Sequence, residues 1–153
     1  MNNIFNTSFE VSLRVLLTLE TSAREWLTAE WIAAADFITV YGKDFGLADD
    51  NLHGDNNYKY SELALRRELT KEALKSLVFQ RLIDVESTPD GFVYALGING
   101  GDFCADFESS YAEEYRESAQ AVKAYMSGKS EREIWGFINR QSVTSIQRSG
   151  FNG

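Results

Sequence analysis

Apolar and polar positions recur along this chain with two periods, and the points where the period changes divide it into elements. Thr7-Ser8-Phe9-Glu10 has the form of a capping box, and Phe9, Leu13, Leu16 and Leu17 follow at helical spacing. That spacing predicts a first helix over residues 8–20. Ser22 with Glu25 repeats the capping pattern, and Thr28 offers an N-cap ahead of Trp31, Ile32, Ala35, Phe37 and Ile38. A second helix is expected to reach about Tyr41 and stop at Gly42. Residues 42–60 then turn to Asp, Asn, Gly and Lys, the composition of an exposed loop.

The helical period returns at Ser61, with Leu65, Leu69, Ala73 and Leu77 on one face and Leu74, Val78 and Leu82 beside them. The opposite face carries Arg67, Lys71 and Lys75 at intervals of four, next to Arg66, with Glu62, Glu68 and Glu72 interleaved. Such a stripe reads either as a solvated face or as a partner-binding one. The period then falls to two. Ile83, Val85 and Ser87 alternate with Asp84, Glu86 and Thr88, and Phe92, Tyr94 and Leu96 alternate on the return. Thr88-Pro89-Asp90-Gly91 supplies the turn. A long amphipathic helix leading into a short hairpin is the sequence shape of a winged-helix unit, which docks on DNA or on protein. Asp84, Glu86 and Asp90 would repel a phosphate backbone, so the wing argues against ordinary DNA reading.

Beyond Gly97, Gly100 and Gly101 one further helix is expected, with Phe103, Phe107, Tyr111, Tyr115, Val122 and Tyr125 or Met126 along an aromatic stripe. Between Gly101 and Ala121 six acids face the single base Arg116. Ser130 with Glu133 opens a last helix through Ile134, Trp135, Phe137 and Ile138. Residues 139–153 carry Arg140 and Arg148 and no acid, and Ser149 to Gly153 read as disordered when free.

Composition narrows the function. The 153 residues are 44% apolar and 13% aromatic, enough for one ordinary core, and the formal charge of −8 opposes a free-standing nucleic-acid binder. No apolar run approaches the roughly 18 residues of a membrane span, and the start lacks a signal peptide's basic and apolar regions, so a cytoplasmic protein is expected. The lone Cys104 and the lone His53 preclude an internal disulfide and a multi-histidine metal site. Cys104 reads as a small buried hydrophobe, and His53 as a solvated side chain.

Short motif matches do not survive their context. Gly128-Lys129-Ser130 copies the end of a P-loop, but position 123 is Lys where the motif needs Gly, and no strand precedes it. Asp44-Phe45-Gly46 spells a kinase metal-binding triplet without the accompanying catalytic loop and reads as a helix-exit turn. Asp102 with Asp106, and Glu113 with Glu117, have converging helical spacing but no histidine to join them. No acid, base and nucleophile set appears, so neither an enzyme, a metal nor a cofactor is expected.

Three segments carry a resemblance. The opening Phe5-Asn6-Thr7-Ser8-Phe9-Glu10-Val11-Ser12-Leu13-Arg14-Val15-Leu16-Leu17, then Ser61-Glu62-Leu63-Ala64-Leu65-Arg66-Arg67-Glu68-Leu69, then Ser109-Ser110-Tyr111-Ala112-Glu113-Glu114-Tyr115, resemble the middle component of bacterial three-component ABC-ATPase systems. That group includes the small subunit of the Lamassu anti-phage systems. The likeness spans residues 4–125. It implies a non-catalytic adaptor that links an SMC-like or RecN-like ABC ATPase, which senses DNA, to an effector subunit that is often a nuclease. DNA would then be met only indirectly or through the complex. The chain departs from relatives after the Ser-x-Tyr segment, where basic intervals are replaced by acidic ones.

The expected fold is mainly α with a small β-hairpin: a winged-helix-like N-terminal region plus C-terminal helices. Residues 1–126 would form the winged-helix-like adaptor domain with its following helix, and residues 127–153 the C-terminal helix and basic flexible tail of the same domain. Arg66, Arg67, Lys71, Lys75, Tyr111 and Tyr115 are the candidate partner-binding residues, with an internal salt bridge from the arginines to Glu62 or Glu10 as the competing reading. The alternative function is a winged-helix DNA-binding transcriptional regulator reading the major groove through Arg66, Arg67, Lys71 and Lys75.

Overall fold

Thr7 opens the chain's first helix as the sequence requires: its Oγ1 accepts from the Glu10 backbone N–H at 3.2 Å, and α1 runs Ser8–Thr21. The computed structural model describes residues 7–23, 25–54 and 59–151, and side chains no further than residue 144. Phe5, Asn6, Asp55, Asn56, Asn57, Asn152, Gly153 and the Arg148 side chain therefore lie outside the described residues. Ser22 is the C-cap of α1 rather than the N-cap of a following helix. Thr28 is the working N-cap, accepting from Trp31 N–H at 3.1 Å, and α2 follows as Ala29–Val40. A 3-10 turn, Gly42–Phe45, ends at Gly46, whose φ of 72° needs glycine.

The remaining elements are α3 (Leu63–Phe79), β2 (Ile83–Thr88), β3 (Gly91–Leu96), α4 (Ile98–Ala105), α5 (Ser110–Met126) and α6 (Glu131–Phe151). A two-residue strand, β1 (Leu27–Thr28), pairs with β3 and completes a three-stranded antiparallel sheet in the order β1-β3-β2. The fold is thus mainly helical with a small antiparallel sheet. Pro89 and Asp90 form the hairpin's turn, with the Thr88 hydroxyl donating to the Gly91 carbonyl at 2.6 Å. Among the described residues no helix is long and apolar enough to cross a membrane.

The middle layer is α1 with α2, buried on nearly all sides: Ile32 through Val40 is an unbroken buried run. On one side α3, the sheet and α4 close a cluster around Val15, Leu16, Ile32, Leu74, Leu77, Ile83 and Cys104. On the other, α5 and α6 bring Tyr115, Val122, Met126, Ile134 and Ile138 against Leu17, Phe37 and Ile38. Each such fully buried large side chain contributes roughly 1.5–3 kcal/mol.

Three expectations are corrected. The aromatic stripe expected on one helix is split between α4 and α5, because Ser109 takes an N-cap position, its Oγ accepting from Ala112 N–H at 3.1 Å. The tail expected to be disordered continues α6 as far as Phe151. The loop after Gly42 is not simply exposed. Asn51 is buried, with Oδ1 accepting from Lys43 N–H at 3.0 Å and Nδ2 donating to Asp44 at 3.2 Å, and Phe45, Leu47, Leu52 and Tyr60 pack against the core.

Candidate functional site

Helix α3 should turn its leucines inward, and for most of its length it does. At its start the register differs from the leucine pattern: Leu65 is 56% exposed, and the buried stripe begins instead at Arg66, which is 5% exposed. Arg66 enters a polar centre built by four elements. Asp36 on α2 accepts from Arg14 Nε of α1 at 2.9 Å, from Arg66 Nη2 at 3.3 Å and from the Tyr115 hydroxyl of α5 at 2.8 Å. The Thr18 hydroxyl lies 2.9 Å from the same tyrosine oxygen and donates to the Arg14 carbonyl at 2.8 Å. Around this centre the Arg66 guanidinium stands 5.7 Å from the Phe37 ring and 5.5 Å from the Tyr41 ring. Among the described residues no acceptor meets its Nε and Nη1, and aromatic faces lie beside the guanidinium instead.

Electrostatics follow from burying two guanidiniums with one carboxylate. Burial alone would raise the Asp36 carboxyl, but Arg14, Arg66 and the Tyr115 hydroxyl more than reverse it and hold Asp36 below its ordinary value. His53 is not the solvated side chain expected of a polar loop. Its Nε2 lies 2.7 Å from the Tyr111 hydroxyl, and the two rings stack at 6.0 Å. Burial and then Arg14 and Arg66 push His53 down to about 3, so it is neutral at physiological pH. Burial pushes the Tyr115 phenol well up and the Tyr111 phenol up to about 12. Asp36, His53, Tyr111 and Tyr115 are each therefore held in one state across the physiological range, an arrangement suited to fixing helices rather than moving protons.

The six candidate residues separate into three groups. Arg66, Tyr111 and Tyr115 belong to this interior; Arg66 and Tyr115 are buried and act within the molecule rather than at a surface. Arg67 pairs with Glu30 of α2 and lies 4.4 Å over the Trp135 ring of α6, so it clasps three helices. The salt bridges read from the sequence as Glu62 or Glu10 thus fall on Asp36 and Glu30, because helix packing brings α2 to α3. Lys71 lies 3.5 Å from Glu68 and 3.9 Å from Glu30, and Lys75 is exposed. Of the four basic residues a major-groove reader would use, three pair with acids of the same chain.

Other polar residues escaped the sequence reading. Arg116, visible there only as the lone base in an acidic stretch, donates from Nε to Glu20 at 2.8 Å and to the carbonyls of Phe107 and Cys104, tying α5 to α1 and to the end of α4. Among the described residues no three His, Cys, Asp or Glu side chains are grouped to hold a metal ion. Cys104 is fully buried; burial, with Glu20 adding to it, pushes the thiol up to about 12.

What remains outward is a surface of mixed character. The outer face of α3 carries Glu68, Lys71, Glu72 and Lys75 between the exposed Leu65 and Phe79, the latter 90% exposed. Below it a groove between α1, α3 and α4 is lined by Phe9, Leu13, Leu16, Leu77, Phe103 and Phe107. The hairpin presents Asp84, Glu86 and Asp90 with Phe92, and Ile98 stands exposed at the start of α4.

The sequence pattern of the family described as ABC-three component (ABC-3C) system Middle Component 2 matches residues 4–148. No curated protein and no solved structure matches the chain.

Proposed function

We propose, since this chain belongs to the ABC-three component (ABC-3C) system Middle Component 2 family, that it is a non-catalytic, cytoplasmic adaptor subunit of an anti-phage defence complex. In this reading it links an SMC-like or RecN-like ABC ATPase that senses DNA to an effector with nuclease activity, as in Lamassu systems, and meets DNA only through the complex. The family name itself implies partner components; their identities are part of the proposal.

One observation carries the adaptor reading over a DNA-reading one. The face that a winged helix would lay in the major groove, the outer side of α3, has as many acids as bases and is bounded by exposed Leu65 and Phe79. The adjacent hairpin adds three more acids. Such a surface repels phosphate and offers apolar anchors to protein. The order helix, strand, helix, helix, hairpin supports a winged-helix-like scaffold used in this way.

The test is co-expression of the tagged chain with the other two components, followed by purification at moderate salt. The expected result is a complex of fixed ratio containing the ATPase. Recovery of the chain alone, together with salt-sensitive DNA affinity in a gel shift, would reject the adaptor reading for the regulator.

A further inference from the structure

Strand β2 is an edge strand: β3 covers one side of it, and the sheet ends there. The hairpin register fixes which backbone groups face out. Gly97 N–H donates to the Leu82 carbonyl at 3.1 Å, so 82 and 97 form a bonded pair, and bonded pairs recur at Asp84 with Ala95, Glu86 with Val93 and Thr88 with Gly91. Val85 and Ser87 therefore point their N–H and C=O groups away from β3, and among the described residues no backbone group bonds them. Beside this edge runs a groove lined by Val78, Arg81, Ile83, Asp84, Val85 and Ile98, in which Val85 is 41% and Ile98 81% exposed. Asp84 and Glu86 stand exposed on the opposite face of the strand.

We propose that the β2 edge at Val85 and Ser87 is the docking site for an extended segment of another component of the system, with alternating apolar and basic side chains. This rests on the adaptor reading above. The unbonded N–H and C=O groups call for a strand rather than a helix. Because side chains alternate along a strand, one set meets the Val78, Val85 and Ile98 groove while the other meets Asp84 and Glu86, which calls for Lys or Arg there. The same acids exclude a second copy of this chain: antiparallel self-pairing about Val85 sets Glu86 of each chain opposite Asp84 of the other.

The test uses the full chain co-expressed with the other two components. Hydrogen exchange over residues 83–88 is expected to slow at least about tenfold in the assembled complex relative to the chain alone. Val85→Pro removes one outward N–H and leaves the ladder to β3 intact; it should retain the melting temperature and lose at least about nine-tenths of the recovered partner. Should that variant not fold, the charge reversals Asp84→Lys and Glu86→Lys, made together, are expected to give the same loss. A complex that forms with unslowed exchange over 83–88 and tolerates the charge reversals overturns the β2 site and leaves the adaptor role standing. Concentration-dependent dimers protected over the same residues overturn it in favour of self-pairing. If the wild-type chain joins neither component, the adaptor reading falls and this site with it.

Discussion

The Tyr115 hydroxyl donates to Asp36 Oδ1 at 2.8 Å, although the two residues are 79 positions apart in the chain. That bond fastens α5 to α2 at the point where Arg14 and Arg66 also converge. Asp36→Ala would leave two buried guanidiniums without their carboxylate and should destabilise the fold by about 3–5 kcal/mol. Tyr115→Phe removes one hydroxyl and should cost about 1–2 kcal/mol. Urea unfolding measures both, and the order Asp36→Ala above Tyr115→Phe is the outcome the geometry demands.

His53 gives the fold a pH dependence. Its folded value of about 3 lies below the unfolded value of 6.5, so the unfolded chain binds a proton that the native one refuses. Stability is therefore complete above the unfolded value and declines as pH falls from 6.5 toward 3, by up to about 1.4 kcal/mol per pH unit. His53→Gln should flatten that decline between roughly pH 6.5 and pH 4. Equal slopes for the variant and the parent would show that His53 is not the titrating group. Asp36, held below its ordinary value, acts in a separate window: its contribution is present above the unfolded carboxyl value and is lost as pH falls through the folded one.

Arg67→Glu would set a carboxylate against Glu30 and take the guanidinium off Trp135. Because Arg67 is 41% exposed, the loss should stay near 1–2 kcal/mol, a drop of several degrees in melting temperature. Lys75→Glu, on the exposed side of the same helix, should leave the melting temperature unchanged. The pair therefore separates a fold defect from an assembly defect, and an unchanged melting temperature for Arg67→Glu would contradict the clasp to α2 and α6.

Two adjacent glycines in α4 should behave oppositely. A Cβ on Gly100 would sit 2.0 Å from the Leu82 carbonyl oxygen, whereas on Gly101 the nearest atom is a Leu96 methyl at 3.9 Å. Gly100→Ala should cost about 3 kcal/mol or abolish soluble expression. Gly101→Ala should be neutral or gain up to about 1 kcal/mol from helix propensity. Thermal denaturation of the two variants side by side decides it.

Cys104, buried with its thiol pushed up to about 12, should resist Ellman's reagent in the native protein at pH 8 and react fully in urea. Prompt native labelling would mean that α4 opens readily.

Local signals were legible in the sequence and distant ones were not. Thr7, Thr28 and Ser130 announce helix starts because a cap is written within four residues, and the structure bonds all three as written. The hairpin was equally readable from its alternation and its turn. Arg66 was not, since nothing local says that α2 will bring Asp36 opposite it while Leu65 is left outside. The two-residue β1 is too short for any period, and Ser109 was lost inside an aromatic stripe that continues on either side of it. The likeness carried by the opening and α3 segments points to the right family, while Arg66 and Tyr115, candidates for partner contact, are buried.

Four of the polar ties between helices span most of the chain. Thr18 meets Tyr115 across 97 positions, Glu20 meets Arg116 across 96, Thr21 meets Lys123 across 102 and Thr28 meets Glu131 across 103. Loops of that size close slowly, and the helices they join cannot be locked until the far end has been synthesised. During translation Arg14 and Asp36 must wait, hydrated and unengaged by Tyr115, while about 80 further residues emerge. The centre of the molecule is thus the last part to dry.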